Sequence, residues 1–264
     1  MKRLLAVSLL AAALPAAVFA AEAPSADPAP AVELRSNSFY DAWIKDRLSV
    51  GLGVSWSILT SPKRPNDVEH HKTFVGFVSK LEDDDQFRVF PEIRYWAADW
   101  IRLVLSLDQV SGRTRNYNMP HSDGSAEMYG PQFLVEGLYP MCDDTVFLHA
   151  GVGFVYGFGD FSEVKWWKLG YSSEADWASI GRPNKAREHY WREIEVDDTF
   201  GLSVSAGVSW RPIPDAELDL SIRHTWIEPD CDFGYRRGGQ FSSQADGEFT
   251  LDHLTVALSA SYVF

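Results

Sequence analysis

The stretch Leu254-Thr255-Val256-Ala257-Leu258-Ser259-Ala260-Ser261-Tyr262-Val263-Phe264 puts Leu, Val, Ala, Tyr and Phe at alternate positions, with small or polar residues between most of them. Successive side chains of an extended chain point to opposite faces, so this segment predicts a strand with one oily face and one narrow face. Three more stretches share the design. From Leu48 to Ile58 the apolar positions alternate with Ser49, Gly51, Gly53, Ser55 and Ser57. Val146 to Phe158 and Phe200 to Trp210 repeat it, with Gly and Ser dominating the narrow face. A water-soluble sandwich is the competing reading, but its outer face would carry charged side chains. A narrow face of Ser and Gly instead suits the crowded interior of a small barrel, and the bulky face suits lipid. Trp, Tyr or Phe near the strand ends match the aromatic girdles of such barrels.

Weaker alternation predicts four further strands: Phe87 to Trp96, Ile101 to Asp108, Tyr129 to Tyr139, and Leu218 to Trp226. Pro91 and Pro131 each remove one ladder donor. The fold expected is all-β, an antiparallel up-and-down barrel of eight strands, with ten as the alternative count because Phe74 to Val78, within Thr73 to Lys80, could be an added strand. Long polar connections near Ser61 to Gln86, Ser111 to Ala126, Asp160 to Thr199 and Ile227 to Glu248 alternate with short turns. That asymmetry predicts long external loops, short periplasmic turns and both termini in the periplasm.

The N-terminus sets the compartment. Lys2 and Arg3 precede an apolar run from Leu4 to Ala13, and small residues surround Ala20, so residues 1–20 read as a secretory signal peptide. Residues 21–38, rich in Ala and Pro, read as a flexible periplasmic lead-in, 39–46 as a pre-barrel segment, and 47–264 as the barrel. A formal charge of −13, which becomes −15 once Lys2 and Arg3 are removed, argues against a nucleic-acid partner held through phosphates.

With its signal peptide, its alternating strands and its terminal Ser261-Tyr262-Val263-Phe264, the chain resembles the small bacterial outer-membrane β-barrel superfamily of OmpA/OmpX-like and opacity-type proteins. The resemblance is architectural, spans about Arg47 to Phe264, and implies the outer membrane of a Gram-negative bacterium. It also implies that Tyr262 and Phe264 form the signal read by the barrel-assembly machinery, and that lipopolysaccharide and other outer-membrane lipids surround the protein. No catalytic residue carries over.

On the assigned phase Arg88, Glu92, Arg94, Arg102, Asp108, Glu136, His149, Asp219, Arg223 and His253 point into the barrel. Eight strands leave an interior just wide enough for side chains to fill, and enclosed charges require partners. The expectation is a charge-paired network that plugs the lumen; a narrow, porin-like solute channel along the same residues is the alternative. The role expected is then structural or surface recognition through external loops, for a ligand the sequence does not name. Trp166, Trp167, Tyr171, Trp177 and Trp191 crowd one such loop and are the candidate contact residues, with packing of the loop onto the barrel rim as the plainer reading.

A lipid A-modifying enzyme is the second alternative. Deacylases of this architecture use a His-x-Ser pair on the outer barrel face, but Trp226 stands where the serine after His224 would be, and Thr225 points inward. The reading is therefore not an enzyme. Neither cofactor nor metal is expected: Glu69-His70-His71 and His121 lack a second ligand pair at a known spacing. Cys142 and Cys231 fall at opposite rims on this strand map, which argues against a disulfide.

Overall fold

The computed structural model describes residues 43–60, 80–83, 86–115, 122–142, 145–171, 174–182 and 190–264. The expectations for residues 1–20 and 21–38, the added strand at Phe74 to Val78, and the histidines at 70, 71 and 121 lie outside the described residues.

In chain order the elements are β1 (Leu48–Leu59), β2 (Lys80–Asp83), β3 (Gln86–Ala98), β4 (Ile101–Arg115), β5 (Ser122–Met141), β6 (Val146–Glu163), α1 (Lys165–Lys168), α2 (Glu174–Ser179), β7 (Tyr190–Val196), β8 (Thr199–Ile213), β9 (Ala216–Trp226), β10 (Asp230–Arg237), β11 (Gln240–Glu248) and β12 (His253–Val263). Eight of them, β1, β3, β4, β5, β6, β8, β9 and β12, pair antiparallel in a ring that closes between β1 and β12, so the count is eight rather than ten. Closure removes the free strand edges that an open sheet would expose.

Exposure follows the predicted phase. Leu52, Val152, Phe154, Leu202, Leu220, Ile222 and Leu258 are exposed on the outer wall, while Ser49, Ser57, Ser205, Ser209, Ser221 and Ser259 are buried inside. Pro91 holds its place opposite Leu52. At Pro131 the β5–β6 ladder skips from Tyr129↔Phe158 to Gln132↔Val155 in unchanged register. The rim where β1 begins and β12 ends, called the terminal rim, is tied by Phe264 N–H to Leu48 O at 3.0 Å and Val263 N–H to Asp215 O at 2.9 Å.

Away from that rim the structure departs from the expected loops. Ser111 to Ala126 is largely strand, because β4 runs on to Arg115 and β5 begins at Ser122. Ile227 to Glu248 holds the β10–β11 hairpin, which with β7 makes a three-stranded sheet in the order β11-β10-β7. These strands escape a search for lipid-facing alternation because theirs runs the other way. Cys231, Phe233, Ile194 and Ala245 are buried, whereas Asp230, Ser242, Ser243 and Asp246 are exposed. Ile227 to Pro229, Asp197-Asp198 and Phe249 to Asp252 are the breaks at which β9, β8 and β12 give way to this distal cap.

Candidate functional site

The interior has three layers. Nearest the terminal rim, Trp96, Leu138 and Phe147 form a small apolar cluster, with Trp96 and Phe147 edge to face at 5.2 Å. The Arg211 guanidinium lies 4.1 Å from the Trp96 ring centre, a cation–π contact that draws an aromatic surface and a charge together.

The middle layer is a charge network whose ionisable side chains come from six strands, β3, β4, β5, β6, β8 and β9. Arg102 grips Glu136 through Nε at 2.9 Å and Nη2 at 2.7 Å, and donates to Glu217 at 2.7 Å and Ser209 at 2.9 Å. Arg94 reaches Glu217 at 2.6 Å, Asp219 at 3.2 Å and Ser259 at 2.7 Å, and also pairs with Glu92. Arg223 donates to Glu92 at 2.7 Å and to Ser106 and the Gln132 amide oxygen at 3.1 Å each. Arg211 joins through Glu217 at 2.9 Å, and His149 lies 2.9 Å from Asp219 and 3.3 Å from Glu136.

Four guanidiniums thus face four carboxylates, Glu92, Glu136, Glu217 and Asp219. Their charges balance, which lessens the cost of removing them from water. Arg102 sets two N–H groups on one oxygen of Glu136, which restricts the orientation of its guanidinium.

Of the residues singled out in the sequence, Glu92, Arg94, Arg102, Glu136, Asp219 and Arg223 meet here. Arg88 and Asp108 do not. Arg88 sits nearer the distal end, opposite Ser55, and forms no ion pair among the described residues. Asp108 pairs with His253 at 3.0 Å, whose other ring nitrogen faces Leu251 O at 2.9 Å. Sequence reasoning passed over Glu217 and Arg211 because both sit beside the Pro212–Asp215 turn, outside the alternating segments. Each nevertheless keeps phase with Asp219 and Ser209, and that was the available signal.

The third layer is apolar. Val110, Ala126, Met128, Val155, Phe161, Trp166, Trp167, Ile194, Phe233, Phe249 and Leu251 are buried together, closing the distal end. Between it and the charge network a space of about 10 Å³, lined by Asp108, Met128, Gly157 and His253 among others, has room for one water at most.

Trp166 and Trp167 of α1 belong to this core, at 6% and 0% exposure, and Tyr171 and Trp177 pack against it. Trp177 is flanked by Lys165 at 5.9 Å and Arg182 at 5.5 Å, and Trp191 by Lys168 at 5.7 Å. The structure thus divides the five loop aromatics: Trp166 and Trp167 are packing, while Tyr171, Trp177 and Trp191 keep part of their surface open.

Also in the cap, Asp123 is fully buried, and neither carboxylate oxygen is hydrogen-bonded among the described residues. Burial pushes its carboxyl up to about 7, against the opposing pull of Arg192. Glu163 is likewise raised by burial, less strongly because Lys168 lies 3.3 Å away.

On the outer wall His224 lies against Trp226, the rings tilted with centres 4.3 Å apart, and its Nε2 lies 3.2 Å from the Thr60 hydroxyl. Its Nδ1 has no hydrogen-bond partner among the described residues. Cys142 is exposed in the β5–β6 turn and Cys231 is buried in the cap core; both are free thiols. No group of metal-ligating side chains is found among the described residues.

No protein-family model matches the chain, and no curated protein matches it. Solved structures do. The outer membrane protein OprG of Pseudomonas aeruginosa aligns with a TM-score of 0.59 at 10% identity, covering 84% of this chain and 97% of that one. The outer membrane protein AlkL, determined in lipid bilayers, aligns with a TM-score of 0.53 at 10% identity, covering 92% and 97%. At such identities the likeness speaks for the fold. The architecture is that of the small eight-stranded outer-membrane β-barrels.

Proposed function

We propose that the protein is a closed, non-conducting barrel of a Gram-negative outer membrane that holds an ordered cap at the cell surface, with a structural or recognition role played by that cap. The single observation that carries this reading is the filled lumen. An apolar cluster at one rim, a balanced charge network in the middle and an apolar core at the distal end follow one another. Ions crossing the barrel would have to break several buried guanidinium–carboxylate pairs, each costly to separate. Recognition then falls to the cap surface, where Trp177 and Trp191 offer partly exposed aromatic surface next to cations. Under this reading the termini and Cys142 lie in the periplasm, Tyr262 and Phe264 serve assembly, and His224 does no chemistry.

Planar bilayers containing the purified barrel are expected to show no stable single-channel openings; sustained conductance would sink the plug and favour a solute path. Orientation has its own test in the exposed thiol of Cys142. A membrane-impermeant maleimide should label it in lysed cells and spare it in intact ones.

A further inference from the structure

Glycines in barrel strands commonly mark places where another atom needs the room, and most here do. At Gly51, Gly53, Gly130, Gly151, Gly153 and Gly207 an added Cβ would come within 3 Å of backbone or side-chain atoms. Gly137 differs. Its Cβ would meet only Ala150 O, at 3.8 Å, an ordinary contact. The fold therefore tolerates a side chain at 137.

Gly137 faces outward on β5, paired with Ala150 on β6, which pairs in turn with Ala206 on β8. One step toward the cap the β5–β6 pair is Val135 and Val152, and one step toward the terminal rim it is Tyr139 and Leu148. Bulky side chains on the outer wall are thus interrupted at one level on three adjacent strands. Over β5 and β6 this gap is a groove of about 320 Å³ walled by Trp100, Tyr139 and Leu148 with Gly137 and Ala150 at its floor. Its size falls in the range of small-molecule sites, about 300–1,000 Å³.

We propose that this groove is a binding site for one acyl chain of a glycerophospholipid. Its walls are continuous with the lipid-facing band, so the occupant comes from the bilayer. Trp100 and Tyr139, 64% and 68% exposed, stand at the end of the barrel where the short turns lie. Amphipathic rings at such an end sit at headgroup level, so a chain entering between them keeps its headgroup at the interface. Glycerophospholipid, rather than lipopolysaccharide, follows from the periplasmic placement of this rim, and to that extent the assignment rests on the function proposed above. Filling the groove buries apolar wall that an ordinary, mobile annular lipid would cover only in passing.

The test places the folded full-length barrel in nanodiscs of phosphatidylethanolamine carrying a diazirine within one acyl chain, and maps crosslinks by mass spectrometry. Crosslinks are expected to concentrate on Ala150, Leu148 and Trp100. In Gly137→Leu they should drop to the level seen at the open positions Val152 and Leu220, with heat-modifiable migration on gels showing that the variant is folded. Crosslinks spread evenly over the outer wall, or unchanged by Gly137→Leu, would overturn the site. A second arm identifies the lipid that co-purifies from native membranes. Phospholipid retained by the wild type and lost in Gly137→Leu supports the assignment. Lipopolysaccharide retained in the same Gly137-dependent way would overturn the phospholipid and the periplasmic placement of the rim, while leaving the groove a lipid site.

Discussion

The lipid-facing belt and the distal cap are built from the same kind of ladder with opposite polarity. In the belt, β9 exposes Leu218, Leu220 and Ile222 and buries Glu217, Asp219, Ser221 and Arg223. In the cap, β10 buries Cys231 and Phe233 and exposes Asp230. Only three residues, Ile227 to Pro229, separate the two strands. The difference teaches that the solvent outside sets the polarity: lipid takes the apolar face in the belt, and water takes the polar face in the cap. The inside must then hold whatever the outside rejects, which is charge in one region and an apolar core in the other. Belt interiors are held by paired charges, whose loss is costly because a partner is left buried; cap interiors are held by packing.

The largest break expected in this comparison is Glu217→Gln. It removes the carboxylate shared by Arg94, Arg102 and Arg211, and should cost about 3–5 kcal/mol, the range for stripping one member from a buried pair. Urea unfolding in lipid vesicles measures it, and a loss below about 1 kcal/mol, the value of an exposed pair, would mean the network is hydrated.

Trp167→Ala probes the other interior. Truncating a fully buried aromatic typically costs about 3–5 kcal/mol, but here the cost should fall on the cap alone. Hydrogen exchange should quicken in β7, β10 and β11 while β1, β9 and β12 stay protected; equal loss across both regions would show that the cap and the belt unfold as one.

A smaller effect tests the exterior. Val152→Arg places a charge on the lipid face and should destabilise by about 2–4 kcal/mol if it lies near the bilayer midplane. The matching change Ser243→Arg on the cap surface should stay within about 0.5 kcal/mol. Similar costs at the two sites would erase the polarity boundary.

The mildest concerns Asp123. Its folded-state pKa of about 7 lies above the ordinary aspartate value, so the native cap binds the extra proton and loses stability as pH rises from that ordinary value through about 7. Asp123→Asn should therefore slow exchange of the α1 segment at pH 8 by roughly tenfold, the equivalent of one pKa unit. Near pH 4 it should make little difference. A variant that opens faster at pH 8 would reverse the sign and require a strong partner for the ionised carboxylate.

The sequence by itself determined the barrel. Alternation in β1, β6, β8 and β12 is imposed by two unlike solvents on two faces, and such a pattern is legible one residue at a time. It also marked Glu92, Arg94, Arg102, Glu136, Asp219 and Arg223 as inward. Only the tertiary structure decided their company: that Glu217 and Arg211 complete the network, that Asp108 leaves it for His253, and that Trp166 and Trp167 pack rather than project. Those outcomes depend on which strand lies opposite which across the lumen, a relation set by closure of the ring and not by neighbours along the chain. The cap's strands were hidden for the same reason, since their polarity makes sense only once a wall of β4, β5 and β6 stands behind them.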